Sequence, residues 1–238
     1  MMQGGKVLSI ILPTYNEREN ITPLVSAIRG VLSEPFEILI IDDDSPDRTW
    51  EVGEDLENRF EEVRLIRRIG ERGLAASLNE GVIRSKGEKI LWMDADFSMP
   101  PETIPKLTHL LDAYPVVIGS RYVGDGEDLR GDFFPVLLSR WFNSLAKFLL
   151  GGVRDYTSGF VATRKEVWKQ IGLLGRHGEY CIRFLYQARC AGYPIHEVPY
   201  ECRPRRIGHS KTFASPQQAI RYGKDYLWTL FSLWIGHA

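Results

Sequence analysis

Short apolar runs alternate with amphipathic segments along the chain, and this alternation predicts its elements. In the first half, the pattern predicts strands at residues 7–12, 38–41, 63–66, 90–93 and 116–118, with helices at 20–31, 49–60, 74–85 and 103–114. The second half is less regular and predicts helices at 133–150, 165–171 and 179–191, with strands at 159–163 and 195–199. Strands that alternate with helices are typical of an α/β fold with a mostly parallel sheet. Because the strand runs are almost continuously apolar, we expect a doubly wound, Rossmann-like sheet with helices on both faces.

Four of the predicted strands are followed by polar residues. These residues lie at positions 13–17, 42–45, 94–96 and 119–121. In open parallel sheets, ligands bind outside the carboxyl ends of the strands. We therefore expect the four groups to meet at one edge of the sheet, which charge scattered over a surface would not do.

The sequence Asp94-Ala95-Asp96 carries the most specific chemistry of these groups. Two carboxylates at the end of a buried strand can hold a hard divalent cation such as Mg²⁺ or Mn²⁺, whose coordination is then completed by phosphate oxygens. The plainer alternative is a solvated aspartate pair that caps the next helix. Neither a Gly-x-Gly-x-x-Gly sequence nor a Gly-x-x-x-x-Gly-Lys-Ser/Thr loop is present. A dinucleotide-dependent dehydrogenase and a P-loop NTPase are therefore not expected.

Composition is that of an ordinary globular protein. The 238 residues are 44% hydrophobic and 26% charged with a formal net charge of −1, so no overall field favours nucleic acid as a partner. Positive charge is concentrated near the C-terminal end, at Arg203, Arg205, Arg206 and Lys211. The three cysteines lack zinc-type spacing and are expected to be reduced packing thiols of a cytoplasmic protein.

No repeat or long linker divides the chain, so we expect one domain over residues 1–238. The first residues lack the apolar region of a signal peptide, and no run of about 18 apolar residues predicts a membrane span.

The predicted helix at 133–150 is amphipathic, and two interpretations of it stay open. Its apolar residues, at three- and four-residue steps, are Phe134, Leu137, Leu138, Trp141, Leu145, Phe148 and Leu149. Its polar side carries Arg140, Asn143, Ser144 and Lys147. Such a helix either faces the core or lies among lipid headgroups. The segment 226–235 is a second candidate for an amphipathic or docking helix.

The motifs of the chain, taken together, resemble those of a known enzyme family. They lie at residues 13–17, 41–47, 93–96, 119–122, 139–140 and 206–211. In this order they resemble the GT-A-fold glycosyltransferases of family two, most closely the dolichol-phosphate mannosyltransferases and related polyprenyl-phosphate glycosyltransferases. The resemblance covers roughly residues 6–215. It implies a nucleotide-binding half at about 1–120, an acceptor half at about 121–215 and an amphipathic tail at about 216–238.

The resemblance also implies roles for individual residues. The nucleoside would be surrounded by Pro13, Tyr15, Glu17, Ile41 and Asp43. Asp94 would face the sugar or ribose, and Asp96 would bind Mg²⁺ or Mn²⁺ on the diphosphate, with Ala95 between them. Ser98 stands where the family often has a metal-binding glutamine, so it would be a weaker ligand. Donor or acceptor phosphates would be met by Arg121, Arg206 and Lys211, and the lipid phosphate by Arg140 with Ser139 beside it.

The implied reaction is the transfer of mannose from GDP-mannose to a polyprenyl (dolichyl) monophosphate with inversion. UDP-glucose as the donor to the same lipid is the alternative that the sequence discriminates poorly. A non-catalytic module that binds membrane surfaces is more remote. A receiver-type signalling domain is disfavoured, because Gly119-Ser120-Arg121 stands where its lysine is required. Attachment to the cytosolic face of a membrane would be peripheral or through an anchoring subunit.

Overall fold

The computed structural model describes residues 7–131, 133–175, 177–207 and 216–236 of the chain. The strands are β1 (Leu8–Thr14), β2 (Phe36–Asp42), β3 (Val63–Arg67), β4 (Lys89–Trp92), β5 (Val116–Ser120), β6 (Glu127–Asp128), β7 (Val161–Arg164), β8 (Ile195–Pro199) and β9 (Glu201–Cys202). The helices are α1 (Arg18–Val31), α2 (Thr49–Arg59), α3 (Leu74–Arg84), α4 (Ile104–His109), α5 (Phe133–Leu150), α6 (Lys165–Ile171), α7 (Tyr180–Cys190) and α8 (Pro216–Trp234).

Seven strands form one sheet in the order β3-β2-β1-β4-β7-β5-β8. Neighbouring strands run parallel except at β7, which lies antiparallel between β4 and β5. The predicted mostly parallel sheet is therefore confirmed, and each predicted strand begins and ends within two residues of its expected bounds. The antiparallel insertion of β7 and the short parallel pair β6–β9 were not predicted. The order reverses between β1 and β4, and such a switch point is where open sheets bind ligands.

Helices cover both faces of the sheet, as predicted. Successive residues of a strand point to opposite faces, so Ile10 and Ile11 belong to different apolar clusters. Ile11 packs in the cluster that includes residues of α3, α5, α6, α7 and α8, whereas Ile10 packs with residues of α1, α2 and α4. Burial on both faces explains why the strand sequences lack polar alternation.

The continuous helix predicted at 103–114 is wrong. The segment divides into a 3₁₀ turn at Pro101–Thr103, α4, and a second 3₁₀ turn at Leu110–Asp112. Prolines explain where helical backbone begins and ends in this segment. Pro105 lies in the first turn of α4, where its missing N–H costs little, and Pro115 disfavours helical backbone in the residue before it.

Helix α5 combines the two interpretations that its sequence left open. Leu145 and Leu149 pack against the core, beside the buried Phe142, Ala146 and Leu150. The other described apolar residues of the predicted stripe are exposed: Leu137, Leu138, Trp141 and, at 84% exposure, Phe148. The core-facing and the solvent-facing apolar residues therefore occupy different sides of one helix.

Helix α8 packs on α5 and α7, and its Tyr226 ring meets the Phe142 ring edge-on at 5.7 Å between centroids. Leu230 and Leu233 are fully buried, while Trp228, Phe231 and Trp234 are exposed. Of the helices that the structure describes, none has the length and apolar character required to cross a bilayer.

Candidate active site

The carboxyl ends of β1, β2, β4 and β5 lie at one edge of the sheet, because these strands all run in the same direction. The four polar groups expected there are therefore brought to a common edge. Close packing joins the first two groups: the Asp43 N–H donates to the Thr14 carbonyl at 3.1 Å, and the Asn16 N–H donates to Ser45 Oγ at 3.0 Å.

Asp43 is a buried carboxylate held by donors from the segment between β3 and α3 and from the first turn of α3. It accepts hydrogen bonds from Arg68 Nη1 at 2.5 Å, from the Gly73 N–H at 2.8 Å and from Ser77 Oγ at 2.8 Å. None of these three donors was singled out in the sequence. They fix the carboxylate next to the ends of β1 and β2, where the sequence predicts the nucleoside.

The other residues predicted around the nucleoside differ in how they could contact a ligand. Tyr15 is partly exposed, and the Arg72 guanidinium lies 4.7 Å from its ring centroid and donates to its hydroxyl at 2.8 Å. Glu17 is buried and accepts from Asn20 Nδ2 at 2.8 Å, and Pro13 is partly buried. The Ile41 side chain is fully buried in the core, so only its backbone could meet a nucleoside.

Asp96 is the most deeply buried acidic group of the Asp94–Asp96 triplet, at 1% exposure. Its Oδ1 accepts from the Ser98 N–H at 2.9 Å. Its Oδ2 lies 2.7 Å from Arg205 Nη1, but the geometry is that of an ion pair, and no described residue donates a hydrogen bond to this oxygen. The Arg205 guanidinium offsets charge at this oxygen, but a ligand or a metal cation could still supply the partner that a buried polar atom requires.

A basic segment at residues 203–207 is held against the loop that carries Asp96. The Arg203 N–H donates to the Ser98 carbonyl and the Arg206 N–H to the Asp96 carbonyl, both at 3.0 Å. Between them, Phe97 has a φ of +67°, a value that a bulky side chain rarely adopts. Such backbone strain persists only where surrounding contacts enforce it, and it is concentrated at functional sites. The Arg206 guanidinium lies 5.3 Å from the Phe97 ring centroid.

The side chains around Asp96 suit a hard divalent cation that takes most of its ligands from a substrate. In the described part of the chain, no three acidic, histidine or cysteine side chains are grouped as a metal site. Asp96 offers a buried carboxylate oxygen that accepts no hydrogen bond from the described residues, with the buried Ser98 beside it. Mg²⁺ is commonly bound in this way, through one or two carboxylates and phosphate oxygens.

Space is left open next to Asp94 by Gly159. A Cβ atom on this glycine would lie 3.2 Å from Met99 Cε, 3.7 Å from Tyr180 Oη and 4.0 Å from Asp94 Oδ1. Asp94 itself is partly exposed, unlike Asp96. The lack of a side chain at Gly159 therefore leaves a small space beside Asp94, the carboxylate that the family resemblance places at the sugar.

Arg121 occupies a buried ion network rather than an open position. Its Nε and Nη2 donate to the two carboxylate oxygens of Asp155 at 2.8 and 2.7 Å, and Nη1 donates to Asp128 at 3.3 Å. Nη2 also donates to Thr157 Oγ1, and Arg130 pairs with Asp128 at 2.5 Å. Burial lowers the pKa of the Arg121 guanidinium, but the charge of Asp155 outweighs this and holds that pKa well above its ordinary value. The group stays charged while most of its donors are engaged.

A cavity of about 400 Å³ lies between α5 and the end of β5. The polar side of α5 that the sequence predicted lines it, and the cations around it are Arg121, Arg140, Lys147 and Arg154. Ser139 is one position outside this lining, and its Oγ lies 2.8 Å from the Tyr122 hydroxyl oxygen. Asn143 links the cavity wall to the ion network, because its Nδ2 donates to Thr157 Oγ1 at 2.8 Å.

The predicted site residues thus fall into two groups. Around the ends of β1, β2 and β4 lie Pro13, Tyr15, Glu17, Ile41, Asp43, Asp94, Ala95, Asp96, Ser98 and Arg206. Arg121, Ser139 and Arg140 lie around the cavity beside α5. Lys211 lies outside the described residues. The ligand contacts assigned to all of these residues stay predictions.

Asp128 and Asp155 were not predicted as site residues. Asp155 pairs with Arg121 across 34 positions, a separation that leaves no local signal in the sequence. Arg205 belonged to the basic cluster that was recognised, but its contact with Asp96 was not predicted.

Comparison with known proteins adds to this geometry. The sequence signature described as Glycosyl transferase family 2 matches residues 9–172. The chain is 37% identical over 209 residues to a dolichol-phosphate mannosyltransferase of Pyrococcus furiosus, across 86% of this chain and 58% of that protein. It is 34% identical over 215 residues to a polyprenol monophosphomannose synthase of Mycolicibacterium smegmatis, across 87% of this chain and 81% of that protein. The chain therefore spans little more than half the length of the Pyrococcus relative.

Solved structures share the fold at much lower identity. Glucosyl-3-phosphoglycerate synthase from Mycobacterium tuberculosis, crystallised with Mn²⁺, UDP-glucose and phosphoglyceric acid, superposes with a TM-score of 0.74 at 18% identity, covering 96% of this chain and 79% of that one. The same enzyme with Mn²⁺, UDP and glucosyl-3-phosphoglycerate gives a TM-score of 0.73. At this identity the likeness concerns the fold alone.

Proposed function

Because the chain belongs to glycosyl transferase family 2, we propose that it transfers mannose from GDP-mannose to a polyprenyl monophosphate, with inversion at the anomeric carbon. The names of the two curated relatives support the mannosyl group and the polyprenyl-phosphate acceptor. The nucleotide is the finer part of the proposal, and it comes from the family resemblance of the motifs.

One arrangement supports a transferase above all. The buried Asp96, whose Oδ2 accepts no hydrogen bond from the described residues, lies at the same sheet edge as a separate cavity lined by cations. A nucleotide-sugar donor carries a diphosphate that needs a cation, whereas a phosphate acceptor needs basic side chains. Two different regions at one edge of the sheet have the charges that these two requirements call for, which supports the proposal.

On the donor side, Asp96 and Ser98 would hold Mg²⁺ or Mn²⁺. A bound divalent cation would offset the negative charge that develops on the departing nucleoside diphosphate. Arg205 and Arg206 carry further positive charge to the same loop, because residues 203–207 are hydrogen-bonded to it. Asp43 and Glu17, held rigidly by neighbouring donors, would accept hydrogen bonds from the nucleoside.

On the acceptor side, a phosphate monoester is already ionised at neutral pH and needs little general-base catalysis. What it needs is alignment with the anomeric carbon, which fixed basic side chains supply. Arg140 projects into the cavity from α5, and Arg121, anchored by Asp155, forms part of the wall. No histidine lines the described part of this cavity, in keeping with a reaction that requires no base.

The exposed aromatic residues support peripheral contact with a membrane, where a polyprenyl phosphate is found. Trp141 and Phe148 on α5 and Trp228 and Trp234 on α8 are each more than half exposed, on two helices that pack together. Tryptophan and phenylalanine beside basic residues suit the interface between headgroups and acyl chains.

The direct test offers the purified chain three donors, namely GDP-mannose, UDP-glucose and UDP-N-acetylglucosamine, each with Mn²⁺ and polyprenyl phosphate. We expect a mannosylated lipid phosphate from GDP-mannose, with an anomeric configuration opposite to that of the donor. Preferred transfer from a UDP-sugar would replace the proposed donor, and retention of configuration would refute the inverting course. Binding without transfer from any donor would favour a non-catalytic module.

A further inference from the structure

The four cations that line the cavity beside α5 differ in how their charge is balanced. Arg121 and the neighbouring Arg130 face the buried carboxylates Asp128 and Asp155, so this ion network has as many negative as positive groups. The structure records no ion pair of Arg140, Lys147 or Arg154 with a described carboxylate. No aspartate or glutamate is among the described residues that line the cavity.

A second cavity in the same molecule provides the contrast. It has a volume of about 180 Å³, and its lining includes Glu88, Lys89, Arg164 and Glu166. Lys89 lies 2.9 Å from Asp112, and Arg164 lies 3.7 Å from Glu166. The cations that border this smaller cavity are therefore paired, whereas three cations of the cavity beside α5 have no ion pair with any described carboxylate.

These three cations, without an ion partner in the described part of the chain, come from two separate elements that are both fixed. Arg140 and Lys147 are seven positions apart on α5, so their Cα atoms are separated by two turns, about 10 Å along the axis. Arg154 follows α5 in a loop that is anchored by Glu197, which accepts from the N–H groups of Arg154 and Asp155 at 2.8 and 3.1 Å. The cations therefore surround the cavity instead of forming one solvated row.

We propose that Lys147 and Arg154 complete the binding site for the phosphate of the acceptor, together with Arg140, while Arg121 positions the wall. This inference rests on the proposed function for the identity of the acceptor. A phosphate monoester carries a charge of about −1.5 to −2 at neutral pH. Arg140 alone leaves part of that charge uncompensated, and Arg121 adds little because its own charge is already balanced.

The test compares Lys147→Gln and Arg154→Gln with Lys169→Gln, a control on the exposed side of α6. The acceptor is a short-chain isoprenyl monophosphate in solution, without detergent or vesicles, so attraction to a lipid surface cannot contribute. Because the cations are exposed, we expect each cavity variant to raise the acceptor KM about fivefold, with kcat and GDP affinity unchanged. The KM of each variant should also depend less steeply on salt, and Lys147→Arg should restore the wild-type KM.

An unchanged acceptor KM in both glutamine variants would overturn the proposal. Weakened binding to phosphatidylserine vesicles with the same acceptor KM would overturn it as well, because the cations would then serve lipid headgroups. Calorimetric titration with the isoprenyl monophosphate separates this inference from the proposed function. If the wild type binds the phosphate more tightly than the variants but transfers no mannose, the anion site stands and the reaction is wrong.

Discussion

The proposed donor edge and the proposed acceptor cavity differ in their electrostatics. At the proposed donor edge, defined by Asp43 and the Asp94–Asp96 triplet, Asp43 is held by several donors, and one oxygen of Asp96 accepts no hydrogen bond from a described residue. In the proposed acceptor cavity beside α5, it is the cations Arg140, Lys147 and Arg154 that lack ion partners among the described residues. Under the proposed function, the first region would hold a cation and the second an anion.

The two regions also differ in how their residues are gathered. The donor edge comes mainly from short segments that directly follow β1, β2 and β4. The acceptor cavity combines one side of α5 with the end of β5 and a loop near residue 154. The following predictions test whether the two regions act separately, beginning with the largest expected effect.

Replacing Asp96 with asparagine should affect the donor region alone. If Asp96 holds a cation at the developing charge, as proposed, loss of its carboxylate should lower kcat on the order of 100- to 1000-fold. Steady-state kinetics with both substrates should show an acceptor KM within a factor of two of the wild type, about the precision of such a comparison. Turnover at the wild-type rate would remove Asp96 from the reaction.

Replacing Asp155 with asparagine should destabilise the wall of the acceptor cavity. It leaves the buried Arg121 with one carboxylate fewer, and breaking a buried pair typically costs about 3 kcal/mol or more. Urea unfolding measures the loss. Asp55→Asn is the matched control, because its pair with Arg59 is exposed and should contribute less than about 1 kcal/mol. Equal losses of unfolding free energy in the two variants would show that the buried Arg121 network stabilises the protein no more than an exposed ion pair does.

Replacing Arg140 with glutamine should affect the acceptor region alone, in contrast to the Asp96 variant. Removal of a guanidinium from the cavity should raise the acceptor KM about tenfold, while the affinity for GDP stays the same. Parallel calorimetry of GDP and kinetics with the acceptor would detect the separation. If nucleotide and acceptor were weakened together, Arg140 would not belong to a distinct acceptor region.

Replacing Trp228 with serine should have the smallest effect. The side chain is 74% exposed on α8, so its loss should leave the unfolding free energy nearly unchanged. Binding to phospholipid vesicles should weaken by a few fold if the ring enters the interface. Co-sedimentation of variant and wild type with vesicles makes the comparison, and equal binding would contradict membrane contact through this residue.

The contrast between the two regions also explains what the sequence could predict. The strands and the acidic triplet were predictable because apolar runs and the carboxylates that follow them are local features. The polar side of α5 was predictable from helical spacing, and it does line the cavity. The Arg121 network was not, because its carboxylates lie 7 and 34 positions away in chain order. The place of β7 was equally hidden, since its direction depends on pairing with β4 and β5.

Calorimetric titration of GDP, with and without Mn²⁺, tests the central role of Asp96 most directly. In the wild type, Mn²⁺ should tighten GDP binding at least about tenfold, because the ion would join the diphosphate to the Asp96 carboxylate. In Asp96→Asn, Mn²⁺ should leave GDP affinity nearly unchanged. The same tightening in both proteins, or none in the wild type, would contradict the account.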